Sequence, residues 1–475
     1  APFGLPWISV APDAPYFVTE HGEAWTPVGQ NDACTWPDLG PLFRRRDLPA
    51  AEAYVRYLAE HGVTVLRVML ECAHKRNRYL ERPVGVFQPN MVRFWDDLFA
   101  LCGRHGLRLL VAPYDTFWTW IRWRYHPLSR ERGGPCAHPG RALLCPETRA
   151  AMKARFTFAV ERWGATGTLF AWDLWNEINP NQADNRPDCV DVFNEAIADL
   201  SEHVRTLEMR LYGRSHPQTV SIYGPELHWK PHLPLADAIF RHPSLDFASS
   251  HVYMEGTIDY PRDTVAPAID TARLVRTAIG EVRDGRPFLD TEHGPIHSYK
   301  DLGITFPEPF DDEYFRHMQW AHLASGAVGG GMRWPNRRPH SLTRGMRVAQ
   351  RGLAGFLPLV DWPRFRRRNL TAELEGGTPG AAAFACGDAA QAVAWLLRTD
   401  TVGADGMLRR DAAPVEVRLG IPGLEAGEYR VTAWDTAAGA EVASFVQRHA
   451  GGVFRPERLP GLATDLALAV TRVGG

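Results

Sequence analysis

From about residue 27 to about residue 357, short β-branched apolar runs alternate with longer segments whose apolar positions recur at helical spacing. That alternation marks repeated strand–helix units built around a parallel sheet. Eight strand candidates can be counted: PVGQND (27 to 32), VTVLRVML (63 to 70), LRLLVAPYD (107 to 115), TLFAWDLWNE (168 to 177), TVSIYG (219 to 224), DFASSHVY (246 to 253), PFLDTE (287 to 292) and AVGGGMRW (327 to 334). Between them lie helical segments such as DLPAAEAYVRYLAEHG and MVRFWDDLFALCGRHG, which stop at Gly62 and Gly106, where a left-handed residue can close the last turn. Eight such units predict an α/β fold, a (β/α)8 TIM barrel with long loops. A doubly wound open sheet is the alternative, weakened because no GxGxxG turn follows an early strand.

After DWPRFRRRN (361 to 369) the helical period disappears. AAAFAC, QAVAWLLR, PVEVRLGI, EYRVTAWD, VASFVQ and DLALAVTR alternate or run apolar between Gly, Pro and Asp clusters, the rhythm of a small β-sandwich. The expected division is a catalytic barrel over residues 1 to 362 and a β-sandwich accessory domain over 363 to 475. Ahead of the first barrel strand, residues 12 to 26 look like part of a hairpin (YFVTEHGEAWTPV) placed to plug the barrel bottom. No internal repeat or low-complexity tract is evident.

A chain of 475 residues exceeds one small core and suits a large domain with a smaller one. The formal net charge of -2 argues against nucleic acid or an anionic membrane as partner. No apolar stretch approaches the roughly 18 to 20 residues of a membrane span, and APFGLPWISV lacks the basic and apolar regions of a signal peptide; the compartment stays open. The seven cysteines show no CxxC spacing, which indicates neither structural zinc nor a full disulfide framework. Cys136 and Cys145 share one loop and could pair in an exported protein; free thiols are the plainer expectation.

In a (β/α)8 barrel, catalytic side chains stand at the C-terminal ends of the strands, where the following loops build the cleft. The fourth candidate strand ends at Asn176 and Glu177, the seventh at Glu292 in FLDTEHG, the sixth at His251 and Tyr253, and the eighth at Trp334, while the second contains Arg67. Carboxyls on strands across the ring can face each other, the arrangement that glycosidic cleavage needs: one acid to protonate the leaving oxygen, one carboxylate to attack or to activate water. Buried Arg67 could instead pair with Glu71, four residues along its own strand.

The set Arg67, Asn176-Glu177, His251-x-Tyr253, Glu292 and Trp334, in this order and on these strands, resembles the active-site signature of clan A retaining glycoside hydrolases, most nearly glycoside hydrolase family 5, the cellulase and mannanase family. The resemblance covers about residues 15 to 357. It implies Glu177 as acid/base and Glu292 as nucleophile, Asn176 on the sugar 2-hydroxyl, Arg67 and Tyr253 orienting the nucleophile, His251 beside the acid/base, and Trp334 flooring the subsite where the bond breaks. It implies a retaining mechanism as well. Where that family has a His after the third strand, this chain has Tyr114 and Asp115, so polar contacts to the sugar differ there and Asp115 is a candidate to take over a hydroxyl contact. The following loop carries Trp118, Trp120, Trp123 and Tyr125, either a local apolar core or a sugar-stacking wall.

For this chemistry to run near neutrality, burial and the charge of Glu292 must keep Glu177 protonated while Arg67 and Tyr253 keep Glu292 ionised. The expected function is a retaining β-glycoside hydrolase acting on β-linked hexose oligo- or polysaccharides of β-mannan or β-glucan type, with no cofactor and no metal. The alternatives are an exo-acting β-galactosidase, β-mannosidase or β-xylosidase of another clan A family, whose cleft the 115 to 147 loop and the 295 to 312 segment could close into a pocket, and an inactive carbohydrate-binding barrel. Metal-assisted hydrolysis is disfavoured because no HxH follows the first strand and His21, His74 and His105 sit at loops or helix ends. Glu226 and His228, in YGPELHW after the fifth strand, are placed where they could reach the cleft.

Overall fold

The computed structural model describes residues 4–71, 79–296 and 305–474. Five parallel strands pair in sequence order: Gly29–Asn31, Val65–Met69, Arg108–Ala112, Leu169–Asp173 and Gln218–Thr219. A sixth and seventh, Ala248–Val252 and Phe288–His293, pair in parallel with each other. Isolated parallel bridges join the two groups: Tyr223 to His251 on one side, and His293 to Arg333 to Gln30 on the other. Pairing therefore runs from the first strand through the seventh and returns by way of Arg333. Every residue of the strands Arg108–Ala112, Leu169–Asp173, Ala248–Val252 and Phe288–His293 is buried, as expected where both faces of a parallel sheet are covered.

The eighth candidate departs from the expectation. AVGGGMRW forms no regular strand: it makes the Arg333 bridges, and its Val328 and Met332 amides donate to the Phe288 and Asp290 carbonyls at 2.9 and 3.0 Å. Gly329 and Gly331 hold φ of +78° and +73°, which extended backbone excludes, and a Cβ on Gly329 would lie 2.3 Å from the Pro27 carbonyl oxygen. The chain crosses here too closely for side chains, so the glycines trade ladder pairing for approach. The fifth candidate is likewise shorter than TVSIYG, with Gln218–Thr219 in the ladder and Tyr223 in a bridge.

Helices lie between the strands as the periodicity predicts: Leu48–Glu60, capped by Asp47 accepting from the Ala50 amide at 3.2 Å, and Pro89–Arg104. At the N-terminal ends of the strands sits a three-stranded antiparallel sheet of Ile8–Val10, Phe17–Thr19 and Ala24–Trp25. Phe17 meets Phe170 and Phe247 edge-on with ring centroids 5.0 and 5.4 Å away, and Trp25 lies 4.6 Å from Phe170.

The C-terminal region is one six-stranded antiparallel sheet, in spatial order Arg368–Asn369, Ala381–Gly387, Gln391–Arg398, Asp465–Arg472, Gly427–Asp435 and Ala440–His449. PVEVRLGI, expected as a strand, is held only by single bridges, Val415 to Leu462, Gly420 to Glu375 and Ile421 to Phe454. QAVAWLLR is buried throughout because both sheet faces are covered. Val393, Trp395 and Leu397 join a cluster with Trp320, Leu323, Ala324 and Phe356 of the helices Glu308–Ser325 and Arg344–Phe356, whereas Ala392, Ala394 and Leu396 pack with Ile421, Phe454 and Leu462. Polar contacts tie the same helix to the sheet region: Asn369 donates to the Ser325 carbonyl at 2.9 Å and Arg367 to Gly326 at 2.7 Å.

Cys136 and Cys145 are free thiols, as are Cys102, Cys189 and Cys386; Cys34 is disulfide-bonded. Cys72, His74 and residues 297 to 304 of the 295 to 312 segment lie outside the described residues. Among the described residues, no helix is long and apolar enough to cross a membrane.

Candidate active site

Arg67 stands in the middle of the second strand with its side chain wholly buried. Burial opposes its charge, but the carboxylates of Asp173 and Glu292 outweigh that and raise its pKa further. Its Nη2 donates to Asp173 Oδ2 at 2.8 Å and to Asn176 Oδ1, and its Nη1 donates to Asn31 Oδ1 at 2.8 Å and Glu292 Oε2 at 3.2 Å. One guanidinium from the second strand thus joins the ends of the first, fourth and seventh strands. Glu71 pairs instead with Arg155, so the local Arg67–Glu71 pair is not formed. Asp173 keeps its remaining capacity for Ser221, accepting from the amide at 3.1 Å and the hydroxyl at 2.7 Å.

Glu292 accepts the Tyr253 hydroxyl at 2.8 Å on Oε1 and Arg67 on Oε2. The strand carries a register shift between Asp290 and Glu292, and Asp290 Oδ1 secures it by accepting the amides of Glu292 and Val252, each at 3.1 Å. His322 Nε2 lies 2.7 Å from the other Asp290 oxygen. Asp290 therefore orients the backbone from which Glu292 projects, with His322 as its side-chain hydrogen-bond partner.

Glu177 sits just past the fourth strand with φ of +53°, an uncommon conformation for a side chain of this size. Its amide donates to Ser221 Oγ at 3.2 Å, and Oε1 lies 2.7 Å from His251 Nδ1. The ligand-type atoms of Glu177, His251 and Glu292 all lie within 4.8 Å of one another. Three such groups can hold a divalent cation, but the guanidinium on Glu292 already supplies fixed positive charge there, and that opposes a second cation.

Burial pushes the Glu177 carboxyl up to about 7, with Asp173 and Glu226 adding to the rise and Arg67 opposing it. Burial also pushes Glu292 up to about 7, against Arg67 and the Tyr253 hydroxyl. The two donors on Glu292 favour its charged form. His251 is brought down to about 4 by burial and is a neutral ring at physiological pH.

These groups open into a cavity of about 290 Å³ lined by Asp115, Trp118, Asn176, Glu177, Tyr253, Glu292 and Trp334, together with Met69, Phe117, Tyr223, Ile296, Asn336 and His340. Nine of the ten residues singled out from the sequence thus line the cavity or, as with Arg67 and His251, bond directly to its carboxyls, with Asp115 and Trp118 on its third-strand wall. Asp115 caps the helix Thr116–Ile121 by accepting from the Trp118 and Phe117 amides at 2.6 and 3.3 Å, and it accepts from Asn176 Nδ2 at 2.6 Å. Its oxygens are committed to orienting Asn176 and the helix, and burial lifts its carboxyl to about 7. Tyr114 does not line the cavity: it is 1 % exposed, stacked on Trp175 at 5.7 Å and covered by Arg155.

Of the aromatic loop, Trp118 faces the cavity, Trp123 stacks on His126 and Tyr125 lies under Arg124. Glu226 is outside the cavity lining, accepting from Asn179 Nδ2 at 2.9 Å and paired with Lys230 at 2.8 Å; His228 lies on a separate depression. Sequence reasoning passed over Asn31, Ser221 and Tyr223, although Asn31 and Tyr223 stand at strand ends and the rule that found Glu177 applies to them. Asn336 and His340, from the loop after Trp334, carry no such signal.

No protein-family model matches the chain, and comparison with curated proteins finds no match. Solved structures do resemble it. A glycoside hydrolase family 5 protein from Bacteroides vulgatus superposes with a TM-score of 0.63 at 12 % identity, over 99 % of this chain and 95 % of that one. A structure described as a glycoside hydrolase gives 0.60 at 13 % identity over 99 % of both chains. A glycoside hydrolase family 5 mannosidase from Rhizomucor miehei, solved with mannosyl-fructose, gives 0.51 at 14 % identity over 71 % of this chain and 90 % of its own. Across its sequence-divergent length, the chain therefore shares its fold with glycoside hydrolases of the family 5 type.

Proposed function

We propose that the protein is a glycoside hydrolase that cleaves β-linked hexose oligo- or polysaccharides of β-mannan or β-glucan type with retention of configuration. The carrying observation is the pair Glu177 and Glu292, with carboxylate oxygens within 4.8 Å of each other in one cavity, and with Arg67 and Tyr253 bonded to Glu292 and not to Glu177. Carboxyls about 5 to 5.5 Å apart suit direct attack, whereas inversion needs about 6.5 to 9.5 Å for an intervening water. In this reading Glu292 attacks the anomeric carbon while Glu177 gives its proton to the departing glycosidic oxygen. Glu177 then takes a proton from the water that releases the sugar from Glu292. Asn176 has one amide hydrogen left, after its bond to Asp115, for a sugar hydroxyl. Trp334, edge-on to Trp36 at 5.0 Å, offers its face to the ring.

In the same reading the parallel circuit is a (β/α)8 catalytic barrel over residues 1 to 362, plugged by the N-terminal hairpin, and residues 363 to 475 form a sandwich-like unit with a structural role. The mannosidase likeness supports a mannan-type sugar among the β-hexosides. Proton NMR of the first-formed anomer, on nitrophenyl glycosides and β-1,4-linked oligosaccharides, tests the reading: the β-anomer appears first, and Glu292→Ala abolishes turnover. An α-anomer formed first removes retention, and unchanged turnover in Glu292→Ala removes the nucleophile.

A further inference from the structure

On the side of the second and third strands the cavity offers a sugar little to bond. Met69, Phe117 and Trp118 are apolar, and Asp115 has committed its oxygens to Asn176 and to the Phe117 and Trp118 amides. Near the carboxyls, the Tyr253 hydroxyl donates to Glu292. A pyranose carries several hydroxyls, and burying one without a partner opposes binding. Beside Trp334 the lining turns polar, with Asn336 and His340. Asn336 is buried, and a carboxamide with two donors and an acceptor has more bonding capacity than one anchoring contact uses. His340 lies flat against Trp36, with ring centroids 5.2 Å apart and planes inclined by 18°, and its Nδ1 is 3.0 Å from the Pro335 carbonyl oxygen. A neutral ring donating there carries its acceptor on Nε2.

The loop that bears these two side chains is tied to the barrel frame. Asp311, buried on the helix Glu308–Ser325, accepts Arg333 Nη2 at 2.7 Å on Oδ1 and Arg337 Nη1 at 2.5 Å on Oδ2. Arg333 belongs to the strand circuit through its bridges to Gln30 and His293, and its Nε donates to the Trp334 carbonyl at 3.0 Å. Arg337 belongs to the loop. One carboxylate therefore couples the loop to the backbone that carries Glu292, and at the far end the Ser341 hydroxyl donates to Asp38 at 2.6 Å. Buried ion pairs add little net stability but fix geometry, which a sugar-contacting loop requires. Resting on the proposed glycosidase reading, we infer that this loop is the sugar-reading element of the cavity: Asn336 and His340 bond a 3-, 4- or 6-hydroxyl of the ring that lies against Trp334, and Asp311, acting through Arg333 and Arg337, is the positioning residue that holds them there. Asn176, next to Glu177, meets the hydroxyl adjacent to the reacting carbon, so the loop selects among hexoses that differ farther round the ring.

Cycles that change the protein and the substrate together test it. Nitrophenyl β-mannoside and β-glucoside are compared with their 2-, 3-, 4- and 6-deoxy derivatives on wild type, Asn336→Ala and His340→Phe, the last keeping a ring against Trp36. Asn336→Ala loses about tenfold in kcat/KM on the parent glycoside and less than about twofold on the derivative that lacks the hydroxyl it meets, while the 2-deoxy derivative shows the full loss. Arg337→Met leaves the Arg333–Asp311 pair in place; it raises KM about tenfold with kcat changed less than about threefold, and Arg337→Lys recovers part of the difference. Losses of equal size on the parent and on every deoxy derivative, in both Asn336→Ala and His340→Phe, overturn the sugar-reading loop and leave the glycosidase reading standing. An Arg337→Met variant with wild-type KM overturns the positioning role of Asp311. A wild-type protein that cleaves neither these glycosides nor β-1,4-linked oligosaccharides overturns the glycosidase reading and the loop with it.

Discussion

The Tyr253 hydroxyl donates to Glu292 Oε1 at 2.8 Å, while Arg67 occupies the other carboxylate oxygen at 3.2 Å. The two donors hold the carboxylate in one orientation and favour its charged form in a buried setting that otherwise resists charge. Tyr253→Phe removes one donor and raises the Glu292 pKa, so the acid limb of the kcat/KM profile moves to higher pH. Turnover falls about 10- to 100-fold, the range for a hydrogen bond to a charged group. A profile unmoved on its acid side would separate Tyr253 from the charge on Glu292.

Arg67 has a different failure mode, because its removal leaves Asp173 and Glu292 buried without their cation. Arg67→Met is expected to cost about 3 to 5 kcal/mol of stability, measured by denaturant unfolding, in addition to abolishing activity. Arg67→Lys keeps the charge but cannot span Asn31, Asp173, Asn176 and Glu292 at once. It should retain more stability than activity.

Glu226 acts at a distance. Its negative charge raises the Glu177 pKa although it lies outside the cavity. Glu226→Gln removes that charge and leaves Lys230 uncompensated, and both changes favour ionised Glu177. The alkaline limb of kcat/KM therefore shifts to lower pH. A limb that stays in place would mean another group carries the transferred proton.

The raised carboxyls also tie stability to pH. Glu177 binds its proton more tightly in the folded protein, about 7, than at its ordinary 4.5. The stabilisation from that proton is fully present below the unfolded pKa and is lost as pH rises through the folded one. Glu177→Gln escapes this loss. Its Tm should exceed wild type at a pH of about 8 and converge with it at a pH of about 4. An equal difference at both would show that burial does not govern this carboxyl.

Removing residues after 362 exposes Trp320, Leu323, Ala324 and Phe356, which share a cluster with Val393, Trp395 and Leu397. The helix Glu308–Ser325 is buried along almost its whole length, because it is covered on both sides. The truncated chain should aggregate or bind a hydrophobic dye strongly. A soluble, fully active product would instead make the C-terminal sheet dispensable.

Local patterning was sufficient wherever the deciding physics is short-ranged. The periodicity switch near residue 361, the helices ending before Gly62 and Gly106, and the parallel strands through Arg67, Asp173, His251 and Glu292 follow from side-chain alternation and capping, which neighbouring residues determine. The same rule pointed to Glu177 and Glu292, since a carboxyl at the end of an apolar run has few other places to be. What folding alone decided involves partners distant in the chain. By sequence Arg67 could pair with Glu71, nearby, or with a carboxyl far along the chain, and only the assembled strands assign Glu71 to Arg155 and Arg67 to Asp173 and Glu292. Tyr114 and Asp115 adjoin one another, yet the strand turns one into the packing around Trp175 and the other onto Asn176. AVGGGMRW reads as a strand until the Pro27 carbonyl comes close enough to require glycine. Composition and spacing record what each residue can do, and the long-range contacts select which of those possibilities is used.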